Sequence, residues 1–351
     1  MSRTRGPVLL ARYLALAWCG IVIYGSLHPF SGWRDTGVSP FAFLEGGWPR
    51  YWTVFDIVAN VLVYLPLGFL FTLALTGLPG RFSPAALGVA FSGGVSFCLE
   101  SLQTWLPSRV PSNLDLGFNV FGALIGAILA YHAGPRFFPR LAAWQHRVVA
   151  PLPHAELGLT LLGLWLLVPL SPEILLFGAG DLRQIIELPP AVPFAAESFM
   201  VIEASITAFN AIAVGLLVRM LIASTWLSVA VVPVFLVLGL LVRTVAAAVL
   251  VSPAGAFAWL TPGAQMGLLM GFLALAVALF LPFNARLVVA ALSLMAGTVL
   301  VNLAPPNPYS AAALAAWRQG HFLNFNGLTR LVSILWPFLT LPFFLLAGRK
   351  P

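Results

Sequence analysis

Apolar residues fall along this chain in long runs separated by short polar or Pro/Gly-rich breaks, without the strict alternation of a half-buried strand. A helix that crosses a bilayer needs roughly 20 apolar residues. About ten such runs are read, near residues 8–28, 54–76, 84–106, 114–132, 157–179, 197–219, 224–250, 263–282, 287–303 and 328–348. The predicted fold is therefore all-α, a polytopic transmembrane helical bundle of about ten spans. Between the fourth and fifth runs, residues 133–156 mix Pro135, Phe137, Phe138 and Trp144 with Arg140 and Arg147, as a segment lying on a membrane surface would. The expected organisation is a four-helix bundle over residues 1–134, an interfacial cytoplasmic linker over 135–156, and a second bundle of about six helices over 157–351.

Composition removes the soluble alternatives. Hydrophobic residues make up 60% of the 351 and charged residues 8%, against about a quarter charged in ordinary soluble domains. The first run follows Arg3 and Arg5 but is longer than a signal-peptide core, and bulky Trp18 stands before Cys19, so it reads as an uncleaved first helix. Cys19 and Cys98 both lie inside apolar runs, which excludes a disulfide framework and a thiolate metal cluster. The few histidines are scattered and no phosphate-binding loop spacing occurs, so no metal and no cofactor are expected.

The net charge of +7 becomes informative once it is sorted by side, because Lys/Arg in short loops sets orientation. With the N-terminus inside, Arg3, Arg5, Arg12, Arg81, Arg136, Arg140, Arg147, Arg219, Arg286, Arg349 and Lys350 fall at cytoplasmic positions. Arg34, Arg50, Arg109, Arg183, Arg318 and Arg330 fall outside, and Arg243 sits within a span. An even number of spans then places both termini in the cytoplasm. The basic balance reads as orientation and contact with anionic lipid, and nucleic acid is not expected as a partner.

Charged residues inside spans cost roughly 2.5–3.5 kcal/mol each on insertion scales, so they mark candidate sites. In 54-VFDIVANVLVYLPLGF-69, Asp56 and Asn60 share a helix face; Glu100 and Gln103 do so on the third run, and Asp115 and Asn119 on the fourth. Arg109 lies in the turn between. The predicted orientation brings all of these to one level under the outer headgroups, as a polar cup. Asp56, Glu100, Arg109 and Asp115 are the candidates for chemistry, Arg109 as an anion clamp and the carboxylates as proton-handling groups. Asn60, Gln103, Ser112 and Asn119 are the candidates for binding. The alternative is that these groups only satisfy one another and fix helix packing, with Asp56 and Asp115 N-terminal helix residues that complement the dipole, Asp115 assisted by Ser112 or Asn113. In the second bundle, Glu203 and Arg243 lie at similar depth and are expected to form a structural ion pair. Glu197, Asn210, Gln265 and the segment 317–330 could line a second pocket there, with His321 a solvated loop histidine.

The order Asp56, Asn60, 66-PLGF-69, 100-ESLQ-103, Arg109, Asp115 and 119-NVFGA-123 resembles the VanZ-like family of bacterial membrane proteins, over about residues 10–132. The resemblance implies a bacterial cytoplasmic membrane location. Founding members are associated with resistance to teicoplanin, whose target is a lipid-linked cell-wall precursor outside the membrane, and family-level arguments suggest binding or remodelling of lipid headgroups. The expected partner is thus a membrane lipid or lipid-linked cell-wall precursor. Three functions compete: an outer-face protein that binds and modifies an envelope lipid, a transporter or flippase of an envelope component, and a non-catalytic envelope scaffold.

Overall fold

The structure is a computed structural model, and it describes residues 5–47, 52–76, 83–171, 173–186, 193–250, 252–305, 307 and 323–349. Arg3, Arg50, Arg81, Arg318, His321, Lys350 and the 317–322 part of the predicted outer segment lie outside the described residues. Among the described residues the secondary structure is helical, apart from one isolated antiparallel bridge between Val149 and Ile222. Among the described residues eight helices are long and apolar enough to cross a membrane, and two shorter apolar helical stretches, Ala155–Leu170 and Pro262–Ala278, fall in the fifth and eighth predicted runs. The protein is a multi-pass membrane protein. It divides into two compact units, Met1–Gln145 and His146–Pro351.

The first unit holds α1 (Arg5–Leu27), the short α2 (Ala42–Glu45), α3 (Val54–Ala74), α4 (Pro84–Gln103) and α5, which starts at Asn113 and continues to Val148. Residues 135–148, read from sequence as linker, are thus a helical extension of the fourth span. Local chemistry starts the helices: Thr53 and Asp56 form a reciprocal capping box on α3, and Ser83 caps α4 with Pro84 behind it. Glycines set the packing. Gly68 on α3 faces the Ala123 backbone, while Gly122 and Gly126 on α5 face the Val61 and Leu65 carbonyls, so the two backbones touch. In lipid, where apolar burial adds little to helix association, such close contact supplies the packing energy.

The second unit holds α6 (Ala155–Trp165), the one-turn α7 (Arg183–Ile186), α8 (Ala196–Leu221), α9 (Thr225–Leu250), α10 (Pro262–Ala278), α11 (Phe283–Leu303) and α12 (Leu323–Ala347). Helix α8 is its axis, buried almost continuously from Glu203 to Leu221. Gly263, Gly267 and Gly271 repeat every fourth residue on α10 and admit α8 at Glu203, Ala204 and Ala208.

The fifth predicted span, 157–179, is not one helix. Helix α6 ends at Trp165, a 3-10 turn covers Val168–Leu170, and the chain then runs irregularly through the buried stretch Leu176–Gly180. Pro169 and the left-handed Gly180 (φ 86°) help break the helix. Irregular backbone is tolerated at membrane depth only when protein groups satisfy it. Arg243 donates to the Ser171 carbonyl and to Ile174 O at 2.6 Å, and Thr207 donates to Leu176 O at 3.3 Å. Asn302 Nδ2 donates to Gly180 O at 2.8 Å, and its Oδ1 accepts from Leu182 N at 2.9 Å. Beside this stretch Asp181 pairs with Arg183 at 2.6 Å, which raises the Arg183 pKa through that hydrogen bond.

These bonds reassign the ion pair expected between Glu203 and Arg243. Arg243 serves the irregular carbonyls, and Glu203 instead accepts from Thr261 Oγ1 at 2.7 Å, where Thr261 caps α10. Equal depth placed the two charges correctly along their helices but carried no information on which way each side chain turns. The carboxylate sits at the positive end of α10, which compensates it in place of a cation. Of the described residues expected to line a second pocket, Asn210 is fully buried against Gly297, whereas Glu197 and Gln265 are exposed.

Candidate functional site

The polar residues of the first unit gather at the end where α1 finishes, α3 begins and the 104–112 turn joins α4 to α5. Glu100 lies one turn before the end of α4 and is 5% exposed. Its Oε2 accepts the Ser112 backbone N–H at 2.8 Å, so a carboxylate holds the residue that starts α5. Ser112 Oγ in turn accepts from Leu114 N at 3.1 Å and Asp115 N at 3.3 Å, as an N-cap does. Asp115 Oδ1 accepts from Asn60 Nδ2 at 2.7 Å, tying α5 to α3. One turn deeper, Asn119 Nδ2 donates to Ser96 Oγ at 2.9 Å and leaves its Oδ1 buried without a partner. The structure therefore joins Glu100, Ser112, Asp115 and Asn60 into one network across α3, α4 and α5, with the Asn119–Ser96 pair as a separate α5–α4 contact beneath it.

Two of the predicted residues have other work. Asp56 is exposed, and its Oδ2 accepts from Thr53 N at 2.9 Å and Thr53 Oγ1 at 2.7 Å, which uses it to cap α3. The 53-TVFD-56 spacing carried that signal in the sequence. Gln103 donates to Ser26 O at 3.1 Å and fastens α4 to the end of α1.

Arg109 sits apart from the carboxylates: among the described residues it makes no ion pair. Its Nε donates to His28 O at 3.3 Å, and its Nη2 donates to Gly25 O and His28 O, both at 3.0 Å. These carbonyls terminate α1, so Arg109 caps that helix with the charge sign its dipole favours. The two Nη1 donors have no protein partner among the described residues. Burial pushes the Arg109 pKa down from its ordinary value.

Residues 28–47 fold over this end, an arrangement that the run pattern does not announce. Arg34 N donates to Trp105 O at 3.0 Å, Thr36 Oγ1 to Thr104 O at 3.1 Å, and Asn113 Nδ2 to Gly46 O at 2.7 Å. Phe41 stacks on Phe97 with centroids 5.7 Å apart. His28 opens this cover, its ring stacked on Tyr24. Burial and then the neighbouring Arg109 charge lower the His28 pKa. A neutral His28 therefore adds stability that is fully present above the unfolded value near 6.5 and is lost as pH falls below it. Thermal stability in detergent is expected to fall as pH is lowered from about 7.5 to 5.5 in the wild type, and a His28→Gln chain should show a smaller loss over that interval.

What the arrangement can do follows from these atoms. Two carboxylates, each with one oxygen that has no partner among the described residues, can accept hydroxyl or ammonium donors, or take up a proton, and the Nη1 edge of Arg109 can take an oxyanion. Among the described residues no three His, Cys, Asp or Glu side chains converge as metal ligands. No curated protein and no solved structure matches the chain. Residues 12–134, which carry the whole of this network, match the VanZ/LLP1 family, so the segment that builds the candidate site is VanZ-like.

Proposed function

We propose that the VanZ-like unit binds the headgroup of a phosphate-containing or polyprenyl-linked envelope lipid at the outer face of the bacterial cytoplasmic membrane. One observation carries this reading. Arg109 keeps its Nη1 donors unspent at the same end of the bundle as Glu100 and Asp115, two carboxylates that no cation compensates among the described residues. Glu100 is buried and Arg109 and Asp115 are half-buried, and charge withdrawn from water in this way gains a partner when a ligand arrives. A lipid that offers phosphate oxygens to Arg109 and hydroxyl donors to the carboxylates fits both signs. Modification of that lipid would use Glu100 or Asp115 as the proton acceptor. A lipid-linked cell-wall precursor as the ligand would connect this unit to teicoplanin resistance, the association that VanZ-like proteins carry.

Protein purified in mild detergent is expected to retain a specific lipid by mass spectrometry. Arg109→Ala should reduce its occupancy about tenfold, as loss of a charge-assisted contact does. Glu100→Gln, which keeps shape but removes charge, should reduce it while the protein stays folded. Lipid content unchanged in both variants would sink the proposal.

A second reading, transport of an envelope component, draws on the broken span of the second unit. Irregular backbone beside buried polar atoms such as Asn210 Oδ1 and Thr298 Oγ1 occurs in transporters at substrate sites. Labelling of cysteines placed near Asn210 from both sides of the membrane separates it from the first.

A further inference from the structure

The second unit brings together two arginines that the lipid-headgroup reading leaves unused. Arg219, in the last turn of α8, is buried and fully engaged: Nε donates to Leu279 O at 3.2 Å, Nη1 to Ile222 O at 3.3 Å and Nη2 to Thr225 Oγ1 at 2.8 Å. Leu279 closes α10, and the chain turns there into α11, whose first turn carries Arg286. Arg286 lies over the Phe283 ring at 5.9 Å and close enough to Arg219 for the two charges to repel. Its Nε and Nη1 are buried and meet no acceptor. Among the described residues the only ion pair is Arg183 with Asp181, so neither Arg219 nor Arg286 has a counter-charge. Helix α11 also begins at Pro282 without a side-chain cap.

Each of these features is unfavourable alone: like charges that repel across the α10–α11 turn, buried guanidinium donors unspent, and an uncapped helix start. An oxyanion resolves all three, because it supplies opposite charge, accepts from a guanidinium edge in a bidentate manner, and complements a helix N-terminus. A hydroxyl accepts from the unspent donors but brings no counter-charge, and an ammonium resolves none of the three. We propose that Arg286, backed by Arg219 and the start of α11, forms a binding site for a phosphate-type oxyanion at this end of the second unit. The phosphodiester of an anionic lipid and free inorganic phosphate offer the same oxygens. Arg286 is half-buried, which leaves the site reachable from the rim of the bundle.

The full chain in nanodiscs of phosphatidylcholine, with or without phosphatidylglycerol, tests this by native mass spectrometry of retained lipid. A parallel thermal-shift titration with inorganic phosphate, in phosphate-free detergent, distinguishes the sources. Wild type should retain phosphatidylglycerol selectively if the ligand is a headgroup, or be stabilised by millimolar phosphate if it is the free ion. Arg286→Gln should weaken whichever response is seen about tenfold, and Arg286→Lys, which keeps the charge without the fork, should fall between. Arg140→Gln, an exposed arginine outside both sites, serves as the control and should leave this response unchanged. Arg109→Ala reports on the headgroup site of the first unit, and the lipid that remains bound to it should still respond to Arg286→Gln, so the two failures are read separately. If wild type responds to neither probe, or the Gln variant responds as wild type does, the buried donors of Arg286 are met by water and the inference is wrong.

Discussion

A Gly126→Leu chain is expected to yield no folded protein in detergent, the largest single-residue loss in the first unit. A side chain at Gly126 would run into the Leu65 carbonyl and the Phe69 amide, both backbone atoms of α3. Overpacking against movable side chains costs about 1–3 kcal/mol, but here neither helix can yield without breaking the crossing that Gly68 and Gly122 also set. A loss above about 4 kcal/mol is therefore expected, and because close packing rather than the hydrophobic effect holds helices together in lipid, little compensates it. Gly117→Leu is the matched control. It lies on the same helix, a Cβ there meets nothing within 4 Å, and leucine is the better helix former, so folding should be retained. Size-exclusion profiles and thermal unfolding of the two variants check the contrast.

Arg243→Met should destabilise the second unit by about 2–4 kcal/mol. Two effects oppose each other. Removing a buried guanidinium relieves its desolvation cost, but it orphans the Ser171 and Ile174 carbonyls, each worth about 1–3 kcal/mol when left buried and unpaired. Within hydrocarbon no water replaces the lost donor, so the orphaned backbone wins. Arg243→Lys should recover only part of the loss, since an ammonium lacks the fork that reaches two carbonyls three residues apart. Glu203→Gln should cost much less, because Glu203 has Thr261 as a partner and does not depend on Arg243. A shared ion pair would instead make the Glu203 and Arg243 variants equally severe and strongly non-additive.

The same physics explains which parts of the molecule were legible in advance. Spans announce themselves because lipid demands about 20 apolar residues in one run, and the long runs at 54–76, 84–106 and 224–250 correspond to α3, α4 and α9. The run at 157–179 satisfied the same test and still broke after Trp165, because hydropathy measures side chains while the break depends on who satisfies the backbone. Those donors, on α8, α9, α11 and α12, are remote in sequence from the carbonyls they serve. In the candidate site, spacing located Glu100, Arg109 and Asp115 at one end of the bundle. It could not say that Arg109 would turn to the end of α1 while Glu100 turned to Ser112.

By itself the sequence determined that this protein crosses the membrane many times, where its helices run, and which few polar residues lie inside them. Those properties depend on the composition of each segment and on the solvent around it. Tertiary structure alone decided the partners: the carboxylate network separate from Arg109, the cover formed by residues 28–47, the exchange of a Glu203–Arg243 pair for two independent attachments, and the meeting of Arg219 with Arg286. Partner choice depends on side-chain direction and on contacts between residues far apart in the chain, and neither is encoded in the length, period or hydropathy of any one segment.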